Sequence, residues 1–142
     1  MAIKMRVLYN SSKKGMAQFA TAVKEKYGLP VNAVSGKFPP EYPCDKERIV
    51  ILAISAKSEM PDDLRRFCSG LNKTQAQNVA LLVDGKQADA DAIADMIRGA
   101  GTNFVGMKVV ALGGFLFFGG ALADDMKEEL LKWVDDMVAA CK

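Results

Sequence analysis

The sequence predicts a single α/β domain, residues 1–142, on a doubly wound parallel sheet of about five strands in a three-layer α/β/α arrangement. Three observations predict it. Short aliphatic runs alternate with amphipathic helical stripes along the whole chain. The runs are apolar on consecutive residues, as strands covered on both faces must be. The chain's 142 residues, half of them hydrophobic and a quarter charged, suit one continuous core and not two.

The elements follow in order. The first strand is expected at Met5 to Tyr9, and a polar turn leads from it into a helix whose inner face is Met16, Phe19, Ala20, Val23 and Tyr27. A second strand is expected at Val31 to Val34. The stretch "SGKFPPEYPCDKE" that follows holds three of the five prolines and no helical period, so a loop stands where a crossover helix would be. The third strand is Ile49 to Ile54, followed by the loop "SAKSEM", Ser55 to Met60. Pro61 suits the first turn of the next helix, whose stripe is Leu64, Phe67, Cys68 and Leu71. Val79 to Val83 form the fourth strand and "DGKQAD", Asp84 to Asp89, its loop; Ala92, Ile93, Met96 and Ile97 mark the helix after it. The fifth strand is expected at Val109 to Leu112. The last helix carries Leu122, Met126, Leu130, Trp133, Val134 and Met137 on one face, with Asp124 and Asp125 at its positive end. These stripes read as core.

Composition excludes several function classes. The net charge of +2 is small and the basic residues are scattered, so no nucleic-acid partner is expected. The least polar stretch, Val109 to Ala123, is interrupted by glycines and too short to span a bilayer, and "MAIKMRVLYNSSKK" lacks the features of a signal peptide. A cytoplasmic protein is expected. Cys44, Cys68 and Cys141 form no CxxC pair and leave an odd count, which suggests reduced thiols and neither a disulfide framework nor a metal site. With no histidine in the chain, mechanisms that use imidazole as base or ligand are excluded.

In a doubly wound sheet, ligands sit beyond the carboxyl ends of the strands where the strand order reverses. The turn "YNSSKKGMAQF", Tyr9 to Phe19, is placed there, at the start of a helix whose free amide N–H groups and dipole attract an anion. Ser11 and Ser12 bring hydroxyl donors, Lys13 and Lys14 positive charge, and Gly15 allows close backbone approach. A phosphate monoester would fit; in the plainer alternative a serine caps the helix and both lysines are solvated. Neither G-x-x-x-x-G-K-[ST] nor G-x-G-x-x-G occurs.

The segment "SKKGMA", Ser12 to Ala17, resembles the phosphate loop of short-chain flavodoxins, [ST]-x-T-G-x-T, in the same strand, turn and helix context. Ser12 and Gly15 match, while Lys14 and Ala17 stand where that family has threonines. The resemblance runs along nearly the whole chain, including the proline-rich loop and "FLFFGGAL", Phe115 to Leu122. It implies a flavodoxin-like fold with strand order 2-1-3-4-5. It further implies FMN as cofactor, held by Asn10, Ser11, Ser12, Lys13, Lys14, Gly15, Met16 and Ala17 at the phosphate. Ser55, Ala56, Lys57 and Ser58, with Asp84, Gly85 and Lys86, would flank the ring. A response-regulator receiver is less similar, because Tyr9, Asn10 and Ser55 stand where that family has its acidic residues.

The ring-side loops carry no aromatic residue, although flavins commonly stack on Trp or Tyr. Met60, or Tyr42 and Phe38 from the proline-rich loop, are the available substitutes. The slightly basic chain also differs from the acidic electron carriers of the family, so a different partner surface is expected. "GGFLFFGG", Gly113 to Gly120, reads as a buried edge strand, with an apolar patch for a partner as the alternative. Two functions are therefore carried forward. One is an FMN-binding electron-transfer protein with a protein redox partner, acting as a carrier or accessory protein more than as a stand-alone enzyme. The other is a flavin-free binding module that uses the phosphate turn for another phosphorylated small molecule, or the sheet edge for a protein partner.

Overall fold

A computed structural model of the chain describes residues 5–10, 14–27, 48–55, 62–72, 76–110 and 124–141. They form β1 (Met5–Asn10), α1 (Lys14–Tyr27), β2 (Ile49–Ser55), α2 (Asp62–Ser69), β3 (Asn78–Asp84), α3 (Gln87–Gly99), β4 (Asn103–Val110) and α4 (Asp124–Ala139). The four strands make one parallel sheet in the order β1-β2-β3-β4. The expected strand at Val31 to Val34 and the proline-rich loop lie outside the described residues, as do Leu122 and "GGFLFFGG".

Strand alternation sends side chains to two separate cores. Leu8, Val50, Leu52, Ile54, Val79, Leu81 and Val83 face α2 and α3, meeting Cys68, Ala90, Ile93, Ala94 and Ile97. Val7, Ile49, Ile51, Ala53, Ala80 and Leu82 face α1 and α4, meeting Phe19, Ala20, Val23, Leu130 and Val134. The result is three layers, with every β3 residue buried because that strand is covered above and below and flanked on both sides.

Two helices differ from expectation in their buried faces. In α3, Ala90, Ile93, Ala94 and Ile97 are buried, while Ala92 is exposed and Met96 half-buried. The helix begins earlier than its aliphatic residues suggested, which shifts the inner stripe onto the two small alanines. Among the described side chains of α4, Leu130 and Val134 are fully covered, while Met126, Trp133 and Met137 are half-buried.

The last strand also departs from the sequence reading. Val109 to Leu112 was the expected strand, yet β4 begins at Asn103, and Ala111 and Leu112 lie outside the described residues. Its first six residues do not form a continuous apolar run, and β4 stands at an edge of the described sheet, half-buried along most of its length. Val79 pairs with Phe104 and Ala80 with Gly106, so Val105 is an extra residue on this edge, a bulge of the kind that blunts open strands. Gly106 lies beneath the flexible end of the Met137 side chain, which would have to move aside for a larger residue. A Cβ at this position would lie 2.5 Å from the Met137 sulfur of α4.

Hydrogen bonds lace the amino ends of the strands. Asn78 Nδ2 donates to the Arg48 carbonyl at 2.8 Å and Asn103 Nδ2 to Asn78 Oδ1 at 2.7 Å. Thr102 Oγ1 donates to the Ala76 carbonyl at 2.8 Å. These buried polar groups are thereby satisfied, as burial requires. Gly101, with φ +104°, makes the left-handed turn between α3 and β4 that lets Thr102 reach this position. Cys68 is sealed in the core, and burial pushes its thiol up to about 12, so it stays protonated and unreactive.

On the other face, α1 and α4 are joined at their solvent side. Lys26 Nζ donates to Asp135 Oδ2 at 2.5 Å, and the Tyr27 hydroxyl donates to Asp135 Oδ1. Burial pushes the Asp135 carboxyl up, but hydrogen bonds from Lys26 and Tyr27, with the Lys26 charge, outweigh it and hold the group below its ordinary 3.8. A carboxylate lowered in the folded state adds stability above its unfolded pKa and loses it as pH falls through the folded value. The melting temperature of the unaltered protein is therefore expected to fall more steeply below about pH 4 than that of Asp135→Asn. Parallel acid limbs in thermal melts would show that this half-exposed pair contributes nothing measurable.

Candidate functional site

The strands are parallel, so all their carboxyl ends lie on one edge of the sheet. Register sets the residues along it. Asn10 is opposite Ile54, Ser55 opposite Asp84, and Asp84 opposite Val110. Asn10, Ser55 and Asp84 of the expected site thus stand at neighbouring strand ends, about 5 Å apart from strand to strand.

Each helix follows a strand and so starts at this edge, α1 and α3 on the shortest connections, of three and two residues. Three residues after β1, α1 opens with Lys14, Gly15, Met16 and Ala17, so these four are its first turn and not part of a longer loop. That turn holds no acidic residue, leaving its amide N–H groups and dipole without an internal counter-charge. Ser11, Ser12 and Lys13 lie outside the described residues.

The second helix start is α3. Asp84 to Asp89 was expected to be a loop, but Gln87 already belongs to the helix, and only Gly85 and Lys86 connect it to β3. The reason is local. Ala90 and Ile93 reach the core only if the helix begins before them, and Asp89 in the first turn complements the helix dipole. Lys86 is the exposed N-cap, and its side chain makes no capping hydrogen bond. The Gly85 N–H donates to the Val110 carbonyl at 3.0 Å, pinning this connection to the end of β4.

Asp84 is 3% exposed. Its alternation with Ala80 and Leu82 puts it on the α1 and α4 side of the sheet. Asp84 therefore ends β3 on the face that carries α1, with the exposed Lys86 two residues on at the start of α3. Ala56, Lys57 and Ser58 lie outside the described residues. No group of three or more His, Cys, Asp or Glu among the described residues could hold a metal ion. Among those residues no helix is long and apolar enough to cross a membrane.

Sequence reading missed the cluster joining Lys26, Tyr27 and Asp135. Its members are 108 and 109 residues apart in the chain, and each alone looks like an ordinary solvated helix residue. It also missed the buried Asn78 and Thr102, whose signal is only their place just before or at the start of a strand.

No protein-family model matches the chain, and no curated protein is similar to it in sequence. Among solved structures, it is similar to the solution structure of two-electron reduced Megasphaera elsdenii flavodoxin. The TM-score is 0.53 and the identity 18%, over 87% of this chain and 93% of the flavodoxin. The fold is therefore flavodoxin-like, with a parallel sheet of four described strands and four helices.

Proposed function

We propose that this chain is an FMN-binding electron-transfer protein whose phosphate seat is the first turn of α1. The observation that carries the reading is the start of α1, three residues beyond β1, acid-free in its first turn and facing the carboxyl edge. The described residues fit the phosphate end of the cofactor. Asn10, Lys14, Gly15 and the backbone through Ala17, with the neighbouring Ser11, Ser12 and Lys13, would hold it through amide and hydroxyl donors. Ser55 to Ser58 and the short Gly85 to Lys86 connection would border the ring. When bound, FMN supplies the electron chemistry, and the chain's own part is to bind the phosphate, orient the ring and limit water.

The placement of α1 supports a ligand crevice between β1 and β2. Both α2 and α3 lie on one face while the chain steps β2 to β3 to β4; α1 lies on the other face, although β2 is the next strand in the same direction. A direct crossover from β1 through α1 to β2 would have the opposite hand to the other two, and mixed hands are rare. The conflict disappears if Val31 to Val34 form a strand on the far side of β1, giving five strands in the order 2-1-3-4-5. The order then reverses between β1 and β2, where such sheets bind ligands. The flavodoxin neighbour, a protein studied in its two-electron reduced form, is compatible with this reading and with a protein redox partner.

The test is titration of flavin-free protein with FMN and with riboflavin, followed by flavin fluorescence. FMN is expected to be quenched at micromolar protein and to bind at least about tenfold more tightly than riboflavin, which lacks the phosphate. Absence of quenching by either would favour the flavin-free binding module. The two-residue, aromatic-free connection after β3 is the feature that favours that second reading.

A further inference from the structure

The cluster joining Lys26, Tyr27 and Asp135 lies at the opposite end of α1 from the phosphate seat. With 14 residues, α1 is a rod about 20 Å long. Its middle rests on the sheet through Phe19, Ala20 and Val23, all buried. Its last turn is held to α4, where Asp135 follows the fully buried Val134 and so projects from a fixed point. Both carboxylate oxygens are engaged, one by the Lys26 ammonium and one by the Tyr27 hydroxyl, and Lys26 also lies 6.0 Å from the centroid of the Tyr27 ring. Burial and the Asp135 carboxylate push the Tyr27 hydroxyl well above the usual phenol range, so it remains a donor.

A rigid rod supported at its middle and fixed at one end has its other end fixed too. The distances from the buried contacts to Tyr27 and to Lys14 are each about 10 Å, so displacement of the last turn appears at the first turn with similar size. We propose that Asp135 is a positioning residue for the phosphate seat: by holding the last turn of α1 on α4 it sets the tilt of α1, and with it the aim of the amide N–H groups of residues 14–17. The inference rests on the function proposed above for that turn. Surface ion pairs stabilise little, so the importance of this one is geometric, in choosing one tilt among several of nearly equal energy.

The experiment compares Asp135→Ala and Asp135→Glu with the unaltered protein. The readouts are FMN affinity, riboflavin affinity and the backbone amide chemical shifts of residues 14–17 in the flavin-free state. Alanine favours helix at this exposed position, so the fold is retained. Asp135→Ala is expected to weaken FMN by about threefold to tenfold, to leave riboflavin unchanged and to move the first-turn amide signals, with Asp135→Glu recovering both. A general loosening of the fold would instead weaken both flavins together. An unchanged ratio of FMN to riboflavin affinity overturns the positioning role while leaving FMN binding intact. If neither flavin binds the unaltered protein, the FMN reading fails, and the chemical shifts decide the positioning role alone: unchanged amide shifts at residues 14–17 in Asp135→Ala overturn it.

Discussion

Leu81→Ala is expected to lower the free energy of unfolding by about 3 kcal/mol. Leu81 is fully buried at the centre of β3, opposite Leu52 in β2 and Met107 in β4, and it belongs to the core beneath α2 and α3. Strands lie on both sides and helices cover the face, so the surroundings can collapse only slightly into the space left by the side chain. The cavity cost therefore adds to the lost transfer energy. For a domain of this size the melting temperature should fall by about 10 °C. Met107→Ala, in the same cross-strand row but on the half-buried edge strand, should cost about 1 kcal/mol, because water already reaches the site and the bulged edge can adjust. Denaturant unfolding followed by the fluorescence of Trp133, the only tryptophan, measures both. Equal losses in the two variants would mean that β4 is as enclosed as β3.

That contrast also explains how far the sequence could be read. Strands β1, β2 and β3 are legible because two covered faces demand consecutive apolar residues, and Ile49 to Ile54 and Val79 to Val83 meet that demand on nearly every residue. An edge strand is under no such demand. Asn103, Gly106 and Lys108 interrupt β4: Asn103 donates a hydrogen bond to Asn78, Gly106 lies beneath the end of the Met137 side chain, and Lys108 makes a 3.4 Å ion pair with Glu129. The early start of α3 was hidden in the same way, since Ala90 and Ala94 are buried residues too small to mark a stripe. For the candidate site, the turn after β1 was legible from its polar residues and its place between strand and helix. The buried Asp84 and the cluster on α4 were not, because burial and pairing depend on residues distant in the chain.

Lys14→Glu separates the two uses to which the first turn of α1 could be put. Lys14 is the first residue of that helix, which has no acidic residue in its opening turn. A carboxylate introduced there interacts favourably with the helix dipole and should stabilise the folded protein by about 0.3–1 kcal/mol. The same carboxylate meets a phosphate dianion as a like charge and replaces a cation. FMN affinity should therefore fall at least about tenfold, most strongly at low ionic strength, while riboflavin affinity changes little. Opposite signs for stability and affinity in one variant cannot come from damage to the fold, which would lower both. Thermal melts and flavin titrations at low and high salt provide the measurement. A stabilised protein that binds FMN as tightly as before would mean that the phosphate is held elsewhere; a destabilised one would mean that a negative group from another part of the chain already lies against the opening turn of α1. The expected result, a more stable protein with a weakened hold on FMN alone, would establish that this helix start is left without an acid at a cost to stability because a ligand supplies the negative charge.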